Sequence, residues 1–160
     1  MKAFLEGLGV LEMRRIVCQP VPARWVAFHG RADLQWQPFP FNAAALQYIP
    51  QQPGFYCFFV GPPPAALPQV GYPMYLGKTE RTLRTRFAEY LREQDNDAGR
   101  VHVRKFLNVF ENELTFMCTH FAGTPQEVKA TETALLNAMM PAYSDSGYSA
   151  EIRAPRGAWQ

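Results

Sequence analysis

The sequence predicts an α/β chain of the α+β type, with a small three-stranded, mostly antiparallel sheet flanked by helices. Three observations carry that expectation. A dense aromatic and apolar run, Phe55 to Val60, lies between turn-forming residues and reads as a central strand. Leu83, Phe87, Tyr90 and Leu91, and then Val103, Phe106, Leu107 and Phe110, recur at the spacing of amphipathic helices. Thr124, Pro125 and Glu127 supply an N-cap, a proline at the first helical position and the acid of a T-x-x-E capping box.

Residues 1–48 read as a β-rich extension. Arg15 to Val17 and Trp25 to Phe28 are β-like runs, punctuated by Pro20, Pro22, Gly30, Pro38 and Pro40. Asn42 caps a short helix over Ala43 to Tyr48, which Pro50 stops. After the Phe55 to Val60 strand, Pro62, Pro63, Pro64 and Pro68 make a stiff loop that cannot be sheet interior. Met74 to Gly77 resumes as a strand, so Pro53 to Gly77 forms a long-looped hairpin. A helix begins at Thr79 or Glu80 and runs to about Glu93. Arg86 and Tyr90, four apart, stack along one flank of its buried stripe, while Arg84 falls on the opposite flank. Gln94 to Gly99 is a polar loop before the second helix, and Leu114 to Phe121 reads as the third strand. The capped helix runs to about Met140, where Pro141 ends it. A core domain over 49–144 and a polar, loosely held tail over 145–160 complete the expected organisation.

Composition narrows the function. With 160 residues, 48% of them apolar, the chain can bury a core without staples. The net charge of +2 does not by itself demand nucleic acid, but the distribution is uneven. Lys78, Arg81, Arg84, Arg86, Arg92, Arg100, Arg104 and Lys105 are eight of the 16 basic residues. Five acids lie among them, so a solvated helix face competes with a phosphate-binding one. Three cysteines make no disulfide framework and fit a reducing, cytoplasmic compartment. Neither a signal peptide nor a membrane span is read. Serine occurs only at Ser144, Ser146 and Ser149, which disfavours a nucleophile-elbow hydrolase, and there is no Gly-rich phosphate loop.

One carboxylate is out of place. On the last predicted helix, Val128, Leu135, Leu136 and Met139 form the apolar stripe, and Glu132 lies in its middle. A buried, unpaired carboxylate is costly. Glu132 therefore needs an arginine, a metal or a water-filled cleft. A single carboxylate with several waters suits Mg²⁺.

These residues resemble the GIY-YIG nuclease family. "IPQQPGFY", Ile49 to Tyr56, is similar to the lead-in and first strand of the nuclease end of the bacterial excision-repair incision protein, with Gly54 and Tyr56 at motif positions. "MYLGKT", Met74 to Thr79, resembles the second strand, with Tyr75 and Gly77 at the tyrosine and glycine. Arg86 lies one residue further along than the family arginine usually does, and Tyr90 matches a position that is His or Tyr. Glu132 matches the family glutamate by its distance from Pro141-Ala142-Tyr143. Ser144 stands where the family often has Asn, and its hydroxyl has a shorter reach. The loop between the tyrosine strands is longer than usual.

The resemblance implies a metal-dependent endonuclease acting on DNA. Tyr56 and Tyr75 would position and deprotonate the attacking water, if nearby cations depress a phenol whose ordinary pKa is about 10. Arg86 would bind the scissile phosphate, assisted by Tyr90, and Glu132 would hold Mg²⁺ or Mn²⁺. Lys78, Arg81, Arg84, His102, Arg104 and Lys105 would contact substrate, with Arg100 also in the basic run. Gly54, Gly77 and Ser144 would be structural. Expected partners are nucleic acid and a possible specificity-conferring protein, with no membrane. The alternative is a binding module of the same fold with weak or no cutting.

Overall fold

The computed structural model describes residues 2–19, 21–28, 33–61, 71–96 and 100–157. The expected Pro62 to Pro68 loop lies outside them, as do Pro20, Gly30 and the end of the Gln94 to Gly99 loop.

The chain is α+β, and its sheet is four-stranded and antiparallel. The strands are β1 (Gln37–Pro40), β2 (Gly54–Val60), β3 (Tyr72–Thr79) and β4 (Leu114–His120), in the order β1-β4-β2-β3. The helices are α1 (Lys2–Met13), α2 (Pro22–Ala27), α3 (Leu83–Gln94), α4 (Val101–Val109), α5 (Pro125–Met139) and α6 (Ala150–Gly157), with a 3-10 helix over Ala43–Tyr48.

β2 is central, paired with β3 on one side and β4 on the other. Both of its faces are covered, which is why its sequence is an unbroken apolar run. Tyr56 and Phe58 point to a layer formed by the 3-10 helix, α3 and α4, with Phe87, Tyr90, Phe106 and Phe116. Phe55 and Cys57 point to the other layer, with Leu135 and Leu136 of α5 and Ile152 of α6.

Several local expectations hold. The Asn42 side chain accepts from the Ala45 N–H at 3.1 Å, and the Thr124–Glu127 capping box is formed in both directions. Others require correction. The fourth strand, β1, contains Pro38 and Pro40, which read as punctuation; a strand at the sheet edge has spare N–H positions and tolerates proline. Among the described residues the extension is not β-rich. Trp25 to Ala27 is helical, because Pro22 at the start of α2 presets the helix and local β preference is a weak prior. Arg15 to Val17 is irregular. α3 starts later than expected, at Leu83, with Thr82 as N-cap. The tail is not loose: it forms α6 and buries Tyr148 and Ile152 in the α5 layer.

Candidate active site

β3 is an edge strand, yet its outer edge is occupied. Met140, in the left-handed conformation, ends α5 and turns the chain back along β3. Ala142 N–H donates to Pro73 O at 3.1 Å and Tyr143 N–H to Met74 O at 2.7 Å. Buried Ser144 finishes the clamp: its hydroxyl accepts from the Leu76 N–H at 3.0 Å and donates to the Leu76 carbonyl at 3.4 Å. The short reach of serine suffices here, and Leu76 sits between Tyr75 and Gly77.

A polar cleft of about 380 Å³ opens at this edge, between the α3–α4 layer and α5. Tyr56 from β2, Tyr75, Gly77 and Lys78 from β3, Arg86 from α3, Arg100 and His102 at α4, and Glu132 from α5 all line it. Antiparallel register sets Tyr56 opposite Gly77, and the phenol crosses over the glycine. A Cβ on Gly77 would lie 2.5 Å from Tyr56 Oη, so only glycine admits this phenol. Gly54 is equally constrained, since a Cβ there would run into the Thr119 carbonyl.

Behind the cleft wall the phenols and guanidiniums form one network. Arg86 Nε donates to Tyr56 Oη at 3.1 Å, its Nη2 to Tyr90 Oη at 3.1 Å and its Nη1 to Glu89 at 2.8 Å. Tyr56 and Tyr90 share a hydrogen bond of 2.9 Å. The guanidinium lies 4.5 Å from the Tyr90 ring centroid, as the four-residue spacing requires. Arg100 donates to Tyr75 Oη at 3.2 Å and pairs with Glu93.

Burial dominates the ionisation of the phenols. It pushes Tyr56 up, against the pull of Arg86, and pushes Tyr75 up to about 12. Tyr90 is likewise raised by burial. Arg86 does pull the Tyr56 phenol down, but desolvation of the phenolate outweighs its charge. Glu132 is also raised by burial, only partly offset by Lys78. No hydrogen bond or ion pair joins it to any described residue, so it faces the polar cleft rather than an arginine. No three His, Cys, Asp or Glu side chains cluster at metal-ligand spacing among the described residues. A half-buried carboxylate without a partner, in a roomy polar cleft, nevertheless fits a hard cation that keeps most of its waters.

Other predicted contacts are dispersed. His102 lines the cleft 3.9 Å from the Asp145 carboxylate. Arg81 pairs with Glu89 at 2.7 Å. Arg84 donates to the Ile49 and Gln47 carbonyls at 2.9 and 2.8 Å, pinning the 3-10 helix to α3. Arg104 donates to Asn96 O, and Lys105 is exposed on α4; neither lines the cleft. Sequence reasoning missed Glu89 and Glu93. Their signal was position, three and seven residues after Arg86 on one helix flank. The chain matches no protein-family model, no curated protein and no solved structure.

Proposed function

We propose that the chain is a divalent-metal-dependent endonuclease of the GIY-YIG type, hydrolysing phosphodiester bonds in DNA. One observation carries the reading: Tyr56, Tyr75, Arg86 and Glu132, far apart in sequence and on four different elements, line a single polar cleft. Gly77 leaves room for the Tyr56 phenol at that cleft, and Ser144 holds the β3 edge at Leu76 beside it.

Phosphodiester hydrolysis needs a water held in line, a receiver for its proton and neutralisation of charge at phosphorus. Three of the five Arg86 N–H groups are committed to Tyr56, Tyr90 and Glu89, leaving two on a fixed fork for the phosphate oxygens. Tyr90 holds that fork by stacking and hydrogen bonding. Lys78 adds a point charge on the cleft floor. Tyr56 and Tyr75 present phenols at the wall where a water would be oriented. Glu132 would hold a divalent cation, whose chemistry is Lewis-acid neutralisation of a phosphate oxygen.

The test is cleavage of plasmid and branched DNA in Mg²⁺ or Mn²⁺, with EDTA as control. Metal-dependent nicking by the wild type that Glu132→Gln abolishes is the expected result. Wild type that cuts nothing, or a variant that cuts equally well, would end this reading. The raised phenol pKa values favour a second reading, a module that binds nucleic acid without cutting. Its mark is salt-sensitive DNA binding with no cleavage.

A further inference from the structure

Arg86 is held at three points. Tyr56 Oη accepts from its Nε and Tyr90 Oη from its Nη2, both at 3.1 Å, and Glu89 accepts from its Nη1 at 2.8 Å. The two phenol oxygens lie 2.9 Å apart, so alone they define little more than an axis about which the guanidinium can turn. The third contact removes that freedom. It comes from three residues further along the same helix, α3, and it is the charged acceptor of the three, which makes it the strongest.

A carboxylate beside an anion site has a drawback, because it repels phosphate. Arg81 offsets it. Glu89 Oε1 accepts from Arg81 Nη1 at 2.7 Å while Oε2 accepts from Arg86. The Glu89 side chain is 24% exposed and that of Arg81 63%, so the bridge runs from the cleft wall out to solvent. Arg86 lines the cleft, but neither Glu89 nor Arg81 does. Burial works against the Glu89 carboxylate, yet its hydrogen bonds from Arg86 and Arg81 hold it below its ordinary range, so the bridge stays charged through neutral pH.

We propose that Glu89 is the positioning residue of the phosphate-binding Arg86, and that Arg81 serves the site through Glu89, as its counter-charge, rather than by touching DNA. The inference rests on the nuclease reading above and deepens it. Two guanidiniums and one carboxylate leave one net positive charge, so the bridge fixes the Arg86 fork without cancelling its attraction for phosphate.

The experiment is steady-state cleavage of a DNA duplex in Mg²⁺ for wild type, Glu89→Ala, Glu89→Gln, Arg81→Ala, and Arg81→Ala combined with Glu89→Gln. Glu89→Ala should lower kcat by ~10–100-fold, the range expected when a group near the reacting atoms is displaced by about 1 Å. Its KM should stay or fall, because one negative charge has left the surroundings of an anion site. Glu89→Gln, which keeps an acceptor and loses the charge, should recover part of the rate and stands in if the alanine variant does not fold. An unchanged or higher kcat in both would make Glu89 an ordinary surface acid and overturn the inference. Arg81→Ala should raise KM about fivefold with kcat nearly kept, since the Glu89 charge is then half uncovered. In the Glu89→Gln background the same change should leave KM where it was, because the charge that Arg81 offsets is gone. A KM penalty of equal size in both backgrounds would make Arg81 a direct phosphate contact and overturn its part. A second readout does not need activity. With isotope-labelled arginine, and Arg86→Lys as the assignment control, NMR should show slow exchange between the two Nη positions of Arg86 in wild type and faster exchange in Glu89→Ala. Equal exchange in both overturns the positioning role. A difference in exchange, in a protein that cuts no DNA, overturns the nuclease reading and leaves Glu89 as the residue that orients Arg86.

Discussion

The two walls of the cleft treat charge in opposite ways. On the α3–α4 wall, Glu89 pairs with Arg86 and Arg81, and Glu93 pairs with Arg100. Burial works against both carboxylates, yet their arginines win and hold both pKa values below the ordinary range. On the α5 wall Glu132 has Lys78 as an electrostatic neighbour but no bonded partner, and burial wins. The same side chain is shifted down behind one wall of the cleft and up inside the cleft itself. Paired charges freeze a geometry in advance, here that of three phenols. A half-buried carboxylate without an ion pair costs stability until a ligand compensates it. The first wall is a finished scaffold, and the second is where a ligand has most to gain.

The largest break in that contrast should come from Gly77→Ala. The new Cβ would sit 2.5 Å from Tyr56 Oη and force the phenol out of its place between Arg86 and Tyr90. Overpacking of this kind costs about 1–3 kcal/mol, readable in urea unfolding. Cleavage should fall by ~100-fold or more, since misplacing an oriented charge near the reacting centre is expensive. The α5 wall should be untouched, so any cation-induced rise in Tm should persist. A Gly77→Ala protein of wild-type stability and rate would mean that the phenol network is not rigid.

Glu132→Gln should act the other way, with the fold kept or improved. A carboxylate whose folded pKa is raised contributes stability at low pH, which is lost as pH rises from its ordinary 4.5 through the folded value. The glutamine variant should lack that decline, and at neutral pH its Tm should equal or exceed that of the wild type. Glu93→Gln should show the opposite sign. Its lowered pKa contributes stability above the ordinary value, lost as pH falls through the folded one, so the variant should be weaker at neutral pH. A divalent cation should stabilise wild type, by about 2.7 kcal/mol at a hundredfold excess over Kd, and leave Glu132→Gln unmoved. Equal cation shifts in both proteins would place the cation elsewhere.

The asymmetry between walls was only half legible in the sequence. Glu132 stood out because it interrupts an apolar stripe, and Arg86 with Tyr90 because four residues make one helical turn. Those signals are local and periodic, as are the β2 run and the α5 capping box. The Arg100–Tyr75 contact is neither: it joins a sheet edge to the connection between two helices, and no spacing rule links them. Glu93 looked like one more acid on a solvated face. β1 was hidden by its prolines and α2 by its aromatic and branched residues, since edge position and packing override propensity. The α6 contact did carry a signal, because Tyr148 and Ile152 are four apart in an otherwise polar tail.

The smallest effect expected is that of Arg84→Ala, and it separates the cleft from the basic run that led to it. Arg84 belongs to the cluster of basic residues that suggested phosphate binding, but its guanidinium donates to the Ile49 and Gln47 carbonyls, on the side of α3 away from the cleft. Those carbonyls can turn to water once the side chain is removed, so the loss should be about 1 kcal/mol. Cleavage rate, DNA affinity and the salt dependence of binding should all stay at wild-type values. A drop in the salt slope of about one would show that Arg84 meets a phosphate after all. The DNA path would then extend over α3 and the 3-10 helix, beyond the two walls, and the division between scaffold and ligand site would have to be redrawn around it.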